Sequence, residues 1–212
     1  MDPWSRAWLV ILAWFGAVVA IFTVARNWAL VWFALVFGLG FGGLFWAIRS
    51  RIRPAFEKLG LANFAGFALL SVAISTFEEV LCWALGNRIA NPVLWKDLVL
   101  VNGTWLVWYA SWYFFLAKRY VYQEKEALLL AASTGILYEY VSSGSFYSNP
   151  AGIVLGAPLA IVVYAALFVL PMQLVGFEGK IDGAGKYAAS TLLPYIFSFA
   201  AAVPLAVALS SA

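Results

Sequence analysis

The chain has 212 residues, of which 65% are hydrophobic and 11% are charged, and its mean hydropathy is +0.90. Because soluble domains carry about 25% charged residues, this composition excludes an ordinary soluble domain and predicts an integral membrane protein. The chain has no histidine and one cysteine, Cys82, which excludes His-ligated haem or zinc, Ser-His nucleophile pairs and an intrachain disulfide. No cofactor is predicted.

Seven stretches of the chain are apolar enough and long enough to cross a bilayer, which takes about 20 residues. In chain order they cover residues 7–25, 28–48, 61–86, 98–117, 127–148, 151–175 and 187–209. These stretches leave no room for a soluble domain. The predicted fold class is therefore all-α, a polytopic membrane protein with seven transmembrane helices in a single transmembrane domain, 1–212.

The basic residues predict the orientation, because cytoplasmic loops carry an excess of Lys and Arg. Ten of the 13 basic residues lie at the N-terminus or after the second, fourth and sixth spans, and the other three are Arg26, Arg88 and Lys96. We therefore expect a multi-pass protein of the cell membrane with its N-terminus inside and its C-terminus outside. The net charge of +3 lies in short loops, which fits anionic lipid headgroups, and no nucleic-acid partner is expected.

The third span contains two adjacent acids, Glu78 and Glu79, in the apolar segment "STFEEVLCW". An Asp at the centre of a span costs about 2.5 to 3.5 kcal/mol on insertion scales, and buried acids usually take up a proton rather than stay charged. Positions three and four apart share one helix face. The acids therefore belong to a stripe of small and polar residues that should face protein or water: Ser71, Ser75, Glu78, Glu79, Cys82 and Gly86.

The fifth span carries a similar stripe, which comprises Ala131, Ala132, Gly135, Glu139, Ser142 and Ser143. Because small residues let helices approach closely, we expect the two stripes to face each other. A rise of 1.5 Å per residue puts Glu78 and Glu139 at similar depths, roughly 12 to 13 Å below the outer ends of their spans. Residues 142–149 fit either the end of the fifth span or a re-entrant loop.

The three glutamates are therefore predicted to share one site, slightly to the outside of the membrane midplane. The amide of Asn102 in the fourth span should reach the same region, and Arg88 is the basic residue that could reach inward to the acids. The predicted ligand- or ion-binding residues are Glu78, Glu79, Glu139, Asn102, Ser75 and Tyr138. Catalytic and metal-binding residues cannot be assigned from this pattern.

Three functions fit these residues. The first is a transporter or channel-like protein that binds a proton, a cation or a small solute at the carboxyl groups, with Pro158, Pro171 and Pro194 supplying helix kinks. The second is an intramembrane enzyme that uses glutamate as a general acid or base on a lipid, isoprenoid or peptide substrate. The third is a non-catalytic subunit of a membrane complex, in which the acids are packing contacts. We predict the first, with membrane lipids and a proton, cation or small lipophilic ligand as partners; a protein partner stays open.

The segment "EEVLCW" resembles, in its glutamate pair, the first motif of the CAAX-type prenyl protease and bacteriocin-processing family. That motif places an arginine four residues after the second glutamate, where this chain has Trp83, and the later motifs of the family contain histidines that this chain lacks. The resemblance covers two residues. The hydrolytic mechanism of the family is therefore not carried over, and no family is predicted.

Overall fold

The computed structural model describes residues 1–86 and 91–210. Within these two ranges the chain is all-helical and has no β-strand, so the predicted all-α class is confirmed. Seven long helices follow one another in the described ranges. Their bounds are α1, Pro3–Val24; α2, Trp28–Lys58; α3, Phe64–Ala84; α4, residues 94–119; α5, residues 124–142; α6, Pro150–Phe168; and α7, Gly185–Ser210.

Three of these helices are composite, since π-helical turns interrupt their regular winding. In α2 the π-helical segment is Ala34–Phe41, in α4 it is Trp112–Leu116, and in α5 it is Leu137–Ser142. A 3-10 turn, Arg49–Arg51, lies near the end of α2. Two short helices, Ser145–Ser148 and Pro171–Leu174, precede and follow α6.

Five of the described helices are long and apolar enough to cross a membrane, namely α1, α2, α3, α6 and α7. The predicted spans 98–117 and 127–148 are not among the five, although α4 and α5 are helical there. Both helices include charged residues in their first turns, such as Asp97 in α4 and Glu124 and Glu126 in α5, and these lower the hydropathy of each helix. The count of seven spans and their orientation therefore remain predictions.

Polar side chains fix the starts of several helices, because the first N–H groups of a helix have no partner within it. Asp2 Oδ1 accepts from Ser5 N at 2.8 Å at the start of α1, and Asn63 and Asn149 cap α3 and α6 in the same way. The chain leaves α5 at Gly144, whose φ of 73° lies in the left-handed region that glycine adopts most easily. Residues 142–149 thus form a tight turn and the helix Ser145–Ser148.

The core is built around α6, which packs against α1, α2, α3 and α5. Its side chains from Ile161 to Phe168 are buried without a break, as expected for a helix that is apolar on all sides. Helix α4 packs between α3 and α7. Trp108 and Trp112 of α4 are fully buried, and both rings lie against Phe168 with centroids 5.3 and 5.2 Å away. The tryptophans inside α4 therefore pack against neighbouring helices.

Candidate functional site

Four acidic side chains gather at the ends of α3, α4 and α5 that are predicted to face outward. We call Glu78, Glu79, Asp97 and Glu139 the outer carboxyl cluster. The exposed fractions of Glu78, Glu79 and Asp97 are 8%, 3% and 0%, whereas Glu139 is partly buried. Charged side chains are almost never this fully buried unless they are paired, so the partners of each carboxyl decide what the cluster can do.

The register of the α3–α4 hairpin brings Glu79 and Asp97 together. Glu79 lies five residues before the end of α3 at Ala84, and Asp97 lies three residues after the start of α4 at Leu94. Because the two helices are antiparallel neighbours, these positions fall at similar depths. The carboxyl groups of Glu79 and Asp97 are close enough to share a hydrogen bond.

A hydrogen bond between two carboxyl groups requires a proton on one of them, because an ionised carboxylate has no donor. Asp97 Oδ1 accepts from the backbone N–H of Asn91 at 2.7 Å. Glu79 Oε1 and Asp97 Oδ2 are shielded from solvent and accept no hydrogen bond from any N–H or O–H group of the described residues. The pair therefore consists of two buried carboxyls, with one oxygen of each lacking a donor among the described residues.

Each of the other two acids of the cluster accepts a hydrogen bond from one side chain of the described residues, a thiol for Glu78 and a hydroxyl for Glu139. Cys82 Sγ donates to Glu78 Oε1 at 3.4 Å, and the Tyr164 hydroxyl donates to Glu139 Oε1 at 3.1 Å. Glu139 and Asp97 both lie within electrostatic range of Glu78. The three predicted glutamates are thus brought into one neighbourhood, and Asp97 joins them.

The small-residue stripes of α3 and α5 were predicted to face each other, but neither helix has the other as a main packing partner. Helix α3 packs chiefly against α4, while α5 packs against α6 and α7. Gly135 in the α5 stripe allows α5 to pack closely against α6, because a Cβ atom at this position would lie 2.5 Å from the ring of Tyr164. The hydroxyl of the same side chain donates to Glu139 Oε1, so α6 contributes a side chain to the cluster.

Ser75 and Asn102 form a bridge deeper in the α3–α4 hairpin. Thr76 lies eight residues before the end of α3, and Asn102 lies eight residues after the start of α4. The Asn102 amide accepts from the Ser75 hydroxyl and donates to Thr76 Oγ1 at 3.0 Å and to Leu98 O at 2.9 Å. Its hydrogen-bonding capacity is therefore committed to the hairpin, and Asn102 does not bond to the carboxyl cluster.

Tyr138, the sixth predicted site residue, faces α7. Its hydroxyl is hydrogen-bonded with Ser198 Oγ, and its ring packs edge-on against Trp105 with a centroid distance of 5.0 Å. Tyr138 thus lies beside the cluster through its ring contact with Tyr164, without a hydrogen bond to any of the four acids.

Within the described residues, none of the four carboxyls of the cluster forms an ion pair with Lys or Arg. Arg88, which the sequence suggested as a counter-ion, lies outside the described residues. In the same part of the chain, no group of three His, Cys, Asp or Glu side chains is arranged to hold a metal ion.

Sequence reasoning missed Asp97 as a site residue. Its position in the sequence could have indicated this role. Asp97 lies in the first turn of the helix that follows the helix of Glu79, and in an antiparallel hairpin the two residues lie at similar depths. Measuring depth from the ends of the predicted spans hid this match, because the fourth span was taken to begin at residue 98 and α4 begins at Leu94.

A second group of charges lies at the opposite ends of the helices, where α5 meets the start of α7, and two of its three members are buried. We call Glu126, Asp182 and Lys186 the inner ion cluster. Lys186 Nζ lies 2.8 Å from Glu126 Oε1 and 2.7 Å from Asp182 Oδ1, and the exposed fractions of the Lys186 and Glu126 side chains are 6% and 3%. Beside it, Tyr122 shares a hydrogen bond of 2.6 Å with Ser190, and burial raises the pKa of Tyr122 to about 12.

No family model, no curated protein and no solved structure matches this chain. The class that the fold defines is an all-helical protein whose long apolar helices are compatible with a membrane.

Proposed function

We propose that this chain is a multi-pass protein of the cell membrane that takes up protons at the outer carboxyl cluster and couples their binding to the passage of a small solute. The proposal includes seven spans, with the N-terminus inside and the C-terminus outside. The observation that carries it is the contact between the buried carboxyls of Glu79 and Asp97, with two of their oxygens accepting no hydrogen bond from the described residues.

The case for a proton comes from the cost of burying charge. A carboxylate that is removed from water without a compensating partner is neutralised rather than kept charged, and two carboxyls in contact share a proton more readily than they both ionise. In the described residues the cluster has neither a pairing cation nor a third ligand placed for a metal. A proton is the smallest charge that satisfies both oxygens.

Coupling would follow from what happens when the proton leaves. Two like charges would then face each other across the α3–α4 hairpin, and their repulsion would favour separation of the two helix ends. The Asn102 bridge to Ser75 and Thr76 would hold the deeper part of the hairpin together. The proton would thus bias the equilibrium between a closed and an open outer end, as intramembrane acids do in proton-coupled transporters.

The test of proton binding is the melting temperature of the purified protein across pH and across a panel of monovalent and divalent cations. Wild type is compared with Glu79→Gln, Asp97→Asn and Glu139→Gln, and with Glu178→Gln, an exposed acid, as the matched control. Because the folded protein holds a proton that the unfolded chain releases near neutrality, stability should fall as the pH rises. The cluster variants should lose this dependence, while Glu178→Gln keeps it.

The outcomes separate the alternatives. Stabilisation by one cation at constant pH, lost in all three cluster variants, would replace the proton by that ion through mass action. Melting temperatures that respond to neither pH nor ions in any of the five proteins would overturn the proposal, because the acids would then serve helix packing alone.

The test of transport uses liposomes that contain the protein and a pH-sensitive dye. An imposed pH gradient should collapse faster with wild type than with Glu79→Gln, and Glu178→Gln should behave as wild type. Equal rates for wild type, both variants and empty liposomes would contradict transport while leaving proton binding to be judged by the melting data.

A further inference from the structure

A cavity of about 420 Å³ lies between α1 and α2, with α6 as its floor. Its walls are almost entirely apolar, and Leu12, Leu39 and Val162 are among the side chains that form them. Its two hydrogen-bonding side chains other than tryptophan, Ser5 and Lys125, lie at the inner end. We call this cavity the α1–α2 slot. Its volume is within the range of roughly 300 to 1,000 Å³ that is typical of small-molecule sites.

The slot exists because α1 and α2 are packed differently along their lengths. Towards the outer end, Phe15 and Val19 of α1 pack with Val31 and Ala34 of α2 in a buried cluster. Towards the inner end, α2 presents glycines to the slot, and a Cβ atom added to Gly43 would have nothing within 4 Å. The missing side chains leave the space open.

The second glycine at this level explains why the slot does not collapse onto α6. A Cβ atom on Gly42 would lie 2.9 Å from the Cβ of Ala166. The backbone of α2 is therefore already in close contact with α6 at this point. Since the floor contact is made by backbone and a methyl group, α2 cannot move further inward to fill the slot.

The slot lies along helices that are long and apolar enough to cross a membrane, so its opening faces the bilayer. Along α1 it runs from Ser5 to Leu12, which is about 10 Å at 1.5 Å per residue, and α1, α2 and α6 are all candidate membrane spans. Leu9, Leu12 and Leu39 are 55%, 41% and 43% exposed, so the slot opens sideways. In a membrane, the groups that meet such an opening are the hydrocarbon chains of lipids.

The inner end of the slot has the chemistry of a headgroup site. Lys125 Nζ donates to Ser5 Oγ, and the Ser5 hydroxyl in turn donates to Asp2 Oδ2 at 2.6 Å. The distance from Lys125 Nζ to Asp2 Oδ2 is 3.7 Å. The Lys125 and Asp2 side chains are 39% and 44% exposed, and ion pairs this exposed contribute little. The ammonium group of Lys125 can therefore exchange these solvent-exposed contacts for a contact with an anionic group at the mouth. Trp8 Nε1 anchors the backbone there by donating to Lys125 O at 3.1 Å.

We propose that the α1–α2 slot binds one acyl chain of an anionic phospholipid, whose phosphate is held by Lys125. The apolar walls receive the chain, the sideways opening admits it from the bilayer, and the ammonium group of Lys125 selects an anionic headgroup. This site is separate from the outer carboxyl cluster and stands whether or not the cluster moves protons.

The test is native mass spectrometry of the protein in detergent with equal amounts of palmitoyl-oleoyl phosphatidylglycerol and the matching phosphatidylcholine. Gly43→Leu fills the slot with a side chain, and Gly16→Leu is its matched control, since Gly16 is an exposed glycine of α1 that also has open space at its Cβ. Wild type and Gly16→Leu should retain phosphatidylglycerol in preference to phosphatidylcholine. Gly43→Leu should retain at least tenfold less of it.

Headgroup selection is tested by Lys125→Gln, with the exposed Lys118→Gln as its control. The preference for phosphatidylglycerol should fall by about fivefold in Lys125→Gln, which is the loss expected for one basic group near an anionic lipid, and remain in Lys118→Gln. If Gly43→Leu does not fold, Leu39→Trp fills the slot from its exposed side and should give the same loss. Equal retention of the two lipids by wild type, or equal lipid loss in the slot-filling and control variants, would overturn the proposal.

Discussion

The inner ion cluster and the outer carboxyl cluster differ in what lies beside a buried carboxyl group. Glu126 and Glu79 are each 3% exposed, so both carboxyls are removed from water. Glu126 lies 2.8 Å from the ammonium group of Lys186, whereas Glu79 lies against another carboxyl, Asp97. A lysine fixes the charge of an acid in place. A second carboxyl provides no positive charge, so a proton is needed to compensate the acid, and a proton can bind and dissociate.

The largest effect is expected when the inner cluster is made to resemble the outer one. Lys186→Met removes the cation and leaves Glu126 buried beside no positive charge of the described cluster, which should lower the free energy of unfolding by about 3 to 5 kcal/mol. Chemical or thermal unfolding in detergent measures this loss. The control Lys180→Met changes an exposed lysine of the segment before α7, and this variant should unfold like wild type.

The reason for the loss can be checked by a second change. Adding Glu126→Gln to Lys186→Met neutralises the stranded carboxyl, so the double variant should recover most of the stability. If the double variant were as unstable as Lys186→Met, the loss would come from the packing of the lysine stem and not from its charge.

A smaller effect is expected from Gly135→Ala, which disturbs the link between Glu139 and the rest of the outer cluster. The new methyl group would lie 2.5 Å from the Tyr164 ring, so the ring or α5 must shift. Overpacking of this kind costs about 1 to 3 kcal/mol, to be measured by thermal unfolding. Gly16→Ala, in open space on α1, should be neutral or slightly stabilising, because alanine favours helices more than glycine does. Similar losses in both variants would point to a general effect of the glycines.

Asn102→Leu tests the bridge that sets the register of the α3–α4 hairpin. The change removes the bonds to Ser75 and Thr76 and should reduce the free energy of unfolding by about 1 kcal/mol. Adding Thr76→Val should restore part of this loss, because replacing both partners by apolar groups avoids a stranded hydroxyl. No recovery in the double variant would argue that Thr76 is not the partner that matters.

The smallest effect is expected from Glu79→Gln, which sharpens the contrast with Lys186→Met. If Glu79 shares a proton with Asp97 as proposed, the amide can keep the hydrogen bond, and the change in free energy of unfolding should stay below about 1 kcal/mol. Unfolding at pH 7 measures it. A loss as large as that of Lys186→Met would mean that Glu79 is ionised and held by a positive charge.

Much of the helical architecture could be predicted from the sequence, because apolar runs of about 20 residues have few other ways to satisfy their backbone groups in a membrane. The limits of α3 and α7 lie within a few residues of the predicted spans. The helices that contain the predicted spans 98–117 and 127–148 begin several residues earlier than those spans. Their first turns include charged residues, which lower the hydropathy of α4 and α5.

Partner choice between helices was harder to predict. A stripe that contains Gly135 predicts that another helix packs closely against α5, but not which helix this is. In the structure the ring of Tyr164 from α6 packs against Gly135. The inner ion cluster was also missed. Lys186 at the start of α7 pairs with Asp182 and with Glu126, and no local pattern predicts the contact with Glu126, because the two residues are 60 positions apart.

The central claim is that Glu79 and Asp97 share a proton, and infrared spectroscopy tests it most directly. At pH 7, wild type should show the carbonyl stretch of a buried carboxylic acid, slow to shift in heavy water, and this band should be lost or displaced in Glu79→Gln and Asp97→Asn but unchanged in Glu178→Gln. A wild-type spectrum with carboxylate bands alone, or an acid band that both cluster variants leave intact, would contradict the account.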